Sequence, residues 1–173
     1  MSIDEMKPWI GQRHFADIIN TILQGDGVVL EYGSGWSTIQ LLIVSSYLVS
    51  VEHDKEWYGK VSEALAETEI PGQVKLVHYD QGEIEQYVRG PLTWFGGRDP
   101  SVIIIDGSYE SRPLCFEFIG QSCKAGTHVF LHDSQNWKRF SDIATRCYET
   151  ISDTHDDTFV NKKTKMWHGV VKQ

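Results

Sequence analysis

The ten residues from Val28 to Ser37 constrain the fold of this chain more than any other stretch. An apolar run carries Glu31 near its end, two glycines follow one residue apart, and Ser37 lies at the start of a second apolar segment. This order is typical of a strand, a tight turn and the start of a helix. Gly33 and Gly35 lack a Cβ atom and can take positive φ, so the turn can pass close to a bound molecule. The stretch predicts a strand-turn-helix unit with a ligand on the turn.

The residues around the turn suit a ligand that carries an anionic group. Ser37 or Thr38 can cap the following helix, whose first amide groups are unpaired and whose dipole favours a carboxylate or phosphate. Glu31 can accept hydrogen bonds from the loop amides or meet a cationic group of the ligand. We therefore expect a site for a nucleotide-sized cofactor.

Length and charge limit the fold and the partners. The 173 residues are expected to form one domain, residues 1–173, with a single sheet covered by helices on both faces. A net charge of -8 disfavours nucleic acid and provides no basic patch for a membrane surface. The longest nearly apolar stretch, Ile39 to Val51, is far shorter than the ~20 residues of a membrane span. We expect a small-molecule partner, with no nucleic acid and no membrane.

Three cysteines, Cys115, Cys123 and Cys147, lack the spacing of a zinc site. Together with the lack of a signal peptide, they predict reduced thiols in a cytoplasmic protein.

Strand and helix patterns alternate along the chain. The predicted strands are Val28–Tyr32, Tyr47–Glu52, Val74–His78, Ser101–Ile105 and His128–Leu131, with two further candidates in the tail, Glu149–Asp153 and Met166–Lys172. Between them lie helical patterns, and Gly90–Pro100 is expected to be a loop. This alternation implies an α/β fold with a parallel sheet and right-handed crossovers. The ligand crevice of such a sheet lies beyond the carboxyl ends of the strands.

Acidic residues lie at the ends of five predicted strands: Glu31, Glu52, Asp80, Asp106 and Asp133. Taken singly, each is best explained as a turn or cap residue. Taken together, beside the glycine turn, they favour a ligand site along one edge of the sheet.

These motifs resemble those of the class I S-adenosylmethionine-dependent methyltransferases, in particular small-molecule O-methyltransferases of the catechol and caffeoyl-CoA type. The similar segments are Glu31-Tyr-Gly33-Ser-Gly35, Val51-Glu52-His53-Asp54, Ile105-Asp106-Gly107 and Leu131-His132-Asp133. The resemblance implies a Rossmann-like, doubly wound, mostly parallel sheet of seven strands with a C-terminal antiparallel strand pair. It also implies methyl transfer to a small-molecule acceptor, at a hydroxyl oxygen.

The resemblance assigns cofactor contacts to particular residues. The methionine part of S-adenosylmethionine would lie on Gly33, Ser34 and Gly35, with Ser37 or Thr38 near its carboxylate. Glu52 would accept from the ribose hydroxyls. Asp80 and Tyr79 would approach the adenine edge, although simple packing also explains Tyr79. His53 would either pack on the adenine face or be a solvated loop histidine.

The reaction needs a route for the acceptor proton, either to a base or by acidification on a metal. His132 is the candidate base. Asp106 and Asp133 end strands that are neighbours in this family, ~4.8 Å apart, so they could share Mg²⁺ or Ca²⁺. The sequence departs from the metal-dependent pattern at Ser134, where an asparagine is usual, and at Tyr109, where a lysine is usual. The alternative is that Asp106 contacts the cofactor while Asp133 orients His132 or the loop.

Further residues are assigned from their place in loops. Trp94, Phe95, Tyr109 and Trp137 are candidates for the wall of an acceptor pocket or for the interface of a homodimer. Arg112 is a candidate for binding an acidic substrate group, but we interpret it as a solvated arginine at a helix start.

Two other functions remain open at this point. A non-catalytic cofactor-binding module would keep the fold without turnover. An NAD-dependent oxidoreductase would also place glycines after its first strand. Against the oxidoreductase, Thr38 takes the place of the third glycine, and the last two strands are closely spaced.

Overall fold

The computed structural model describes residues 10–68, 73–156 and 164–172. Its strands are β1 (Val28–Tyr32), β2 (Tyr47–Glu52), β3 (Val74–His78), β4 (Val102–Ile105), β5 (His128–His132), β6 (Tyr148–Asp156) and β7 (Thr164–Val171). Its α-helices are α1 (Gln12–Gln24), α2 (Trp36–Val44), α3 (Lys55–Ala66), α4 (Ile84–Arg89), α5 (Ser111–Ser122) and α6 (Ser141–Cys147). Three short 3₁₀ helices cover Gln81–Glu83, Gly90–Phe95 and Ser134–Arg139.

All seven strands form one sheet in the order β3-β2-β1-β4-β5-β7-β6. The first five are parallel, and β7 runs antiparallel to both β5 and β6. The predicted mostly parallel sheet with an antiparallel C-terminal pair is therefore confirmed. The strand order reverses between β1 and β4, which is where ligands bind in open sheets of this kind.

Both faces of the sheet are covered by helices. Strands β1 and β4 are buried along their whole length, which explains their nearly continuous apolar sequence. Val28, Leu30 and Tyr32 face a core that includes Phe116 of α5. Val29 faces the opposite core, formed with α1 and α2. Because side chains alternate along a strand, Glu31 lies on the α2 face together with Val29.

Two segments near the site differ from the prediction. Helix α2 begins at Trp36, so Gly35, rather than Ser37 or Thr38, is its N-cap residue. Thr38 still takes part in capping, because its Oγ1 accepts from the Gly35 amide at 2.8 Å. The predicted loop after α4 contains the 3₁₀ helix Gly90–Phe95. Asp54 caps α3, because its carboxylate accepts from the Trp57 amide at 2.8 Å.

Across the part of the chain that the structure describes, no helix combines the length and the apolar character needed to cross a membrane.

Candidate functional site at the carboxyl ends of the strands

The glycine turn after β1 is shaped by the neighbouring strand. Gly33 has φ +91°, and its amide donates to Val51 O at 2.8 Å. A Cβ atom on Gly33 would lie 2.6 Å from the carbonyl oxygen of Asp106, at the end of β4. The requirement for glycine therefore comes first from the close approach of these two strand ends.

Gly35 has a different role. Its φ of 176° corresponds to extended backbone, so Gly35 does not use the left-handed conformation that glycine permits. A Cβ atom there would meet only the Trp57 indole, at 3.7 Å or more, and Gly35 borders a cavity. The turn therefore leaves open space directly in front of Gly35.

Glu31 stabilises the turn from its buried side. Its Oε1 accepts from Ser37 Oγ at 2.5 Å, and its Oε2 accepts from Thr38 Oγ1 and Ser50 Oγ at 2.6 Å each. Complete burial raises the pKa of Glu31 to about 7, although the three hydroxyl donors oppose the rise. Glu31 and Thr38 are 0% exposed. The direct cofactor contacts expected of both are corrected: they stabilise the turn from the protein side.

Glu52 organises the loops from the end of β2. Its Oε2 accepts from the Ser34 amide at 3.0 Å and from Ser34 Oγ at 3.3 Å. Its Oε1 accepts from the amides of His53 and Asp54, both at 2.8 Å. The carboxylate is 3% exposed, yet it borders the cavity in front of the turn. Glu52 thus links the loops that follow β1 and β2 through hydrogen bonds.

This cavity has a volume of about 570 Å³. Its lining brings together the carboxyl ends of β1, β2, β4 and β5, through Gly33, Ser34, Gly35, Ser37, Glu52, His53, Asp106, His132 and Asp133. The volume lies within the range of small-molecule and cofactor sites. The structure therefore brings most of the strand-end residues to one crevice, as predicted.

His132, the last residue of β5, lines the cavity with its imidazole ring. Its Nδ1 lies 2.7 Å from Asp106 Oδ1, so the carboxylate holds the Nδ1 proton and leaves a lone pair on Nε2. The His132 side chain is 3% exposed, and Nε2 has no hydrogen-bond partner within the described chain. Burial alone would lower the pKa of His132, but Asp106, assisted by Asp133, outweighs it and raises the pKa. Asp106 is thus the residue that orients His132, the role expected of Asp133.

Arg112 lies between the two carboxylates at which a metal was considered. Its Nη2 is 3.1 Å from Asp106 Oδ1, and its Nη1 is 3.5 Å from Asp133 Oδ2. The described residues contain no cluster of three histidine, cysteine or acidic side chains able to hold a metal. The residues present do not fit Mg²⁺ or Ca²⁺, because a fixed cation already bridges Asp106 and Asp133. The interpretation of Arg112 as a solvated arginine is also wrong, since its side chain is 12% exposed.

A second cavity, of about 380 Å³, adjoins the first. It shares His53 and Ser108 with the first cavity and is also lined by Asp80 and Tyr87. The His53 ring lies edge-on to Tyr87 at 5.7 Å, and its Nδ1 is 2.9 Å from Glu52 Oε1. The hydrogen bond to Glu52 raises the pKa of His53 against the effect of burial. Tyr79 lines neither cavity and packs against the core, where its hydroxyl accepts from Trp94 Nε1 at 3.3 Å.

The aromatic residues expected to form an acceptor pocket lie elsewhere. Phe95 is buried edge-on against Tyr47, the first residue of β2, and therefore lies at the opposite end of the sheet. Trp94 is exposed beneath Lys75. Tyr109 is exposed beside Arg139 and outside the cavity lining. The side chain of Trp137 lies outside the described part of the chain.

The cavity instead has Trp36 and Trp57 as its aromatic walls. A signal for both was present in the sequence. Trp36 directly follows the glycine turn, and Trp57 lies in the first turn of the helix that Asp54 caps. For Arg112, the only signal was its position at the start of the helix after β4.

Comparison with known proteins gives structural similarity without close sequence similarity. No protein-family model and no curated protein sequence matches the chain. An O-methyltransferase from Bacillus cereus, solved with S-adenosylhomocysteine (SAH), has a TM-score of 0.74 at 16% identity, over 94% of this chain and 82% of that one. The O-methyltransferase TomG from Streptomyces achromogenes, solved with S-adenosylmethionine, has a TM-score of 0.73 at 15% identity, over 95% and 82%.

A third solved structure, a methyltransferase-like protein from Silicibacter pomeroyi, has a TM-score of 0.69 at 16% identity, over 95% of this chain and 89% of that one. All three similarities extend over 94–95% of this chain. Together with the strand order and the crevice between β1 and β4, they show that this chain has the fold of the class I S-adenosylmethionine-dependent methyltransferases.

Proposed function

We propose that this protein is an S-adenosylmethionine-dependent methyltransferase that acts on a hydroxyl oxygen of a small molecule. The observation that carries the proposal is the Nε2 atom of His132, which has no hydrogen-bond partner among the described residues and lies at the wall of the cavity in front of the glycine turn. A buried lone pair of this kind needs a hydrogen-bond donor, and an acceptor hydroxyl supplies one.

The cavity suits the cofactor on grounds of shape and charge. The space in front of Gly35, at the start of α2, suits the amino-acid part, whose carboxylate is favoured at a helix N-terminus. Glu52 borders the cavity and would accept from the ribose hydroxyls in place of its 3.3 Å hydrogen bond from Ser34 Oγ. The second cavity, with His53 and Asp80, is the proposed position of the adenine. Two of the structural neighbours were solved with S-adenosylhomocysteine or S-adenosylmethionine.

The cofactor supplies a methyl group on a positively charged sulfur, which leaves as a neutral thioether. The chain holds the acceptor oxygen in line with that methyl group. His132 Nε2 accepts the hydroxyl proton as the new bond forms. Asp106 stabilises the resulting imidazolium through its contact with Nδ1.

The remaining expectations on partners and location are part of the same proposal. The net charge argues for a small molecule rather than a nucleic acid as acceptor. Cys115, Cys123 and Cys147 are free thiols, which supports a reducing compartment such as the cytoplasm. Exposed Tyr109 and Trp94 are candidates for the contact of a homodimer.

The proposal is tested by incubating the protein with isotopically labelled S-adenosylmethionine and a panel of hydroxylated compounds. We expect the label to appear in an ether of one acceptor, with SAH as the second product. If SAH binds but no compound accepts the label, the non-catalytic binding module is favoured instead. If NAD raises the melting temperature and SAH does not, the oxidoreductase is favoured.

A further inference from the structure

The guanidinium of Arg112 contacts four acceptor groups of the protein. Besides its ion pairs with Asp106 and Asp133, its Nε donates to Gly107 O at 2.8 Å and its Nη1 to His132 O at 3.3 Å. These four acceptors lie at the ends of β4 and β5, in the wall of the first cavity. The planar guanidinium is therefore fixed in one orientation by the two strand ends.

This position is the one that a divalent cation would need. A metal shared by Asp106 and Asp133 must lie within ~2.6 Å of an oxygen of each carboxylate. One guanidinium already contacts Asp106 Oδ1 and Asp133 Oδ2. A second cation beside it would meet a permanent positive charge in a largely buried environment, where repulsion is poorly screened.

We propose that Arg112 replaces a divalent metal in this site, so that methyl transfer is metal-independent and its acceptor needs only one ionisable hydroxyl, as in a phenol. This inference rests on the proposed methyltransferase function and names its substrate class. A metal can chelate two neighbouring hydroxyls and acidify one of them, which favours vicinal diols. Here His132 alone takes the proton, so a second hydroxyl is not required. A phenol, with a pKa of about 10, is far more acidic than an aliphatic alcohol and suits an imidazole base.

The transfer balances without a metal. The acceptor oxygen bonds to the methyl carbon while the carbon–sulfur bond breaks, and the electron pair of that bond stays on sulfur. The hydroxyl proton moves to His132 Nε2, so the positive charge passes from sulfur to the imidazole. Asp106 faces that charge, while Arg112 keeps both carboxylates in place.

The first test is Mn²⁺ binding, measured by electron paramagnetic resonance and calorimetry on the wild type, Arg112→Met and Arg146→Met. Arg146 is the matched control, because it is an exposed arginine paired with Glu117 on another helix. We expect no binding to the wild type or the control at about 1 mM Mn²⁺. This concentration is well above the dissociation constants that are typical of Ca²⁺ sensor proteins. We expect a gain of at least about tenfold in Mn²⁺ affinity in Arg112→Met, where two carboxylates lose their bridging cation. Specific Mn²⁺ binding to the wild type, or no gain in a folded Arg112→Met, overturns the proposal.

The second test uses only the wild type and so does not depend on the folding of a variant. Initial rates are compared for matched phenols and catechols, in EDTA and in Mg²⁺. We expect phenols to be methylated in EDTA at rates within about twofold of those in Mg²⁺, since no step uses the metal. Methylation of catechols alone, or only with Mg²⁺, or of neither class, overturns the assignment. Calorimetry with SAH is run in parallel: absence of SAH binding would refute the proposed function, whereas the Mn²⁺ result still decides the role of Arg112.

Discussion

His132 is the residue on which the proposed chemistry depends most. Replacing it with glutamine removes the base but keeps a side chain of similar polarity in the cavity wall. We expect turnover to fall by about 10²–10⁴-fold, the usual contribution of general base catalysis. The SAH affinity should stay within about threefold, because no cofactor contact is assigned to this side chain. Single-turnover kinetics with calorimetry checks both, and full activity in His132→Gln would remove His132 as the base.

Glu31 should make stability depend on pH. Its pKa is raised from 4.5 to about 7, so the native state favours the protonated carboxyl. The contribution of Glu31 to the free energy of unfolding is complete below pH 4.5 and is lost as the pH rises through 7. The total loss is on the order of 3 kcal/mol. Urea unfolding of the wild type and Glu31→Gln across this range measures it. The difference between the two free energies of unfolding should change with pH in this direction, and a constant difference would contradict the assignment.

The contribution of His168 to stability should depend on pH in the opposite direction. Its Nε2 lies 3.0 Å from His128 Nδ1, and its ring stacks on Phe130 at 4.0 Å. Burial, with a smaller effect of His128, lowers the pKa of His168 from 6.5 to about 4. Its stabilisation is therefore present above pH 6.5 and is lost as the pH falls through 4.

His168→Gln should reduce this acid sensitivity by on the order of 1 kcal/mol, after allowance for solvent screening. The measurement is urea unfolding at pH 7.5 and pH 4.5, with His78→Gln as the control. Equal acid sensitivity in the wild type and His168→Gln would show that the pair does not titrate as described.

Single residues also show what the sequence could and could not predict. The contact of Glu31 with the α2 face was accessible from the alternation along β1, because Glu31 shares the face of Val29. The burial of Arg112 was not accessible in this way. It depends on how α5 approaches the ends of β4 and β5, which no local pattern specifies.

At the scale of the elements, the two glycines of the turn after β1 differ: Gly33 is required by the fold, whereas Gly35 has a proposed role in cofactor binding. Gly33→Ala places a Cβ atom against the end of β4 and forces a non-glycine residue into positive φ. We expect a loss of at least about 1–2 kcal/mol in the free energy of unfolding. Gly35→Ala should stay within about 1 kcal/mol of the wild type, because Gly35 has room for a Cβ atom. Urea unfolding measures both, and equal losses would contradict the distinction.

The elements were predicted well where the pattern is local and less well where packing decides. Strands β1, β2 and β3 have the predicted bounds, because apolar runs between glycines and acids mark them clearly. The segment from Gly90 to Phe95 was expected to be a loop at the site. It is a short helix whose Phe95 packs on Tyr47, a contact between residues far apart in sequence. The acceptor pocket walls were misplaced for this reason.

At the scale of the whole molecule, the strand order explains why the site lies where it does. The reversal between β1 and β4 brings Gly33 against Asp106, and β5 adds His132 beside them. The sheet thus brings together the glycine turn and His132, the proposed cofactor turn and base, from segments about a hundred residues apart in the chain. The alternation of strands and helices predicted this edge of the sheet. The family resemblance predicted the antiparallel C-terminal pair and the adjacency of β4 and β5.

Calorimetric titration with SAH, of the wild type and Gly35→Val, shows whether the crevice in front of the glycine turn binds the cofactor. We expect one SAH bound per wild-type chain, no binding of NAD, and at least about tenfold weaker SAH binding in a folded Gly35→Val, whose side chain would enter the space in front of the turn. Absence of SAH binding to the folded wild type, or equal SAH affinity in the two proteins, would contradict this expectation.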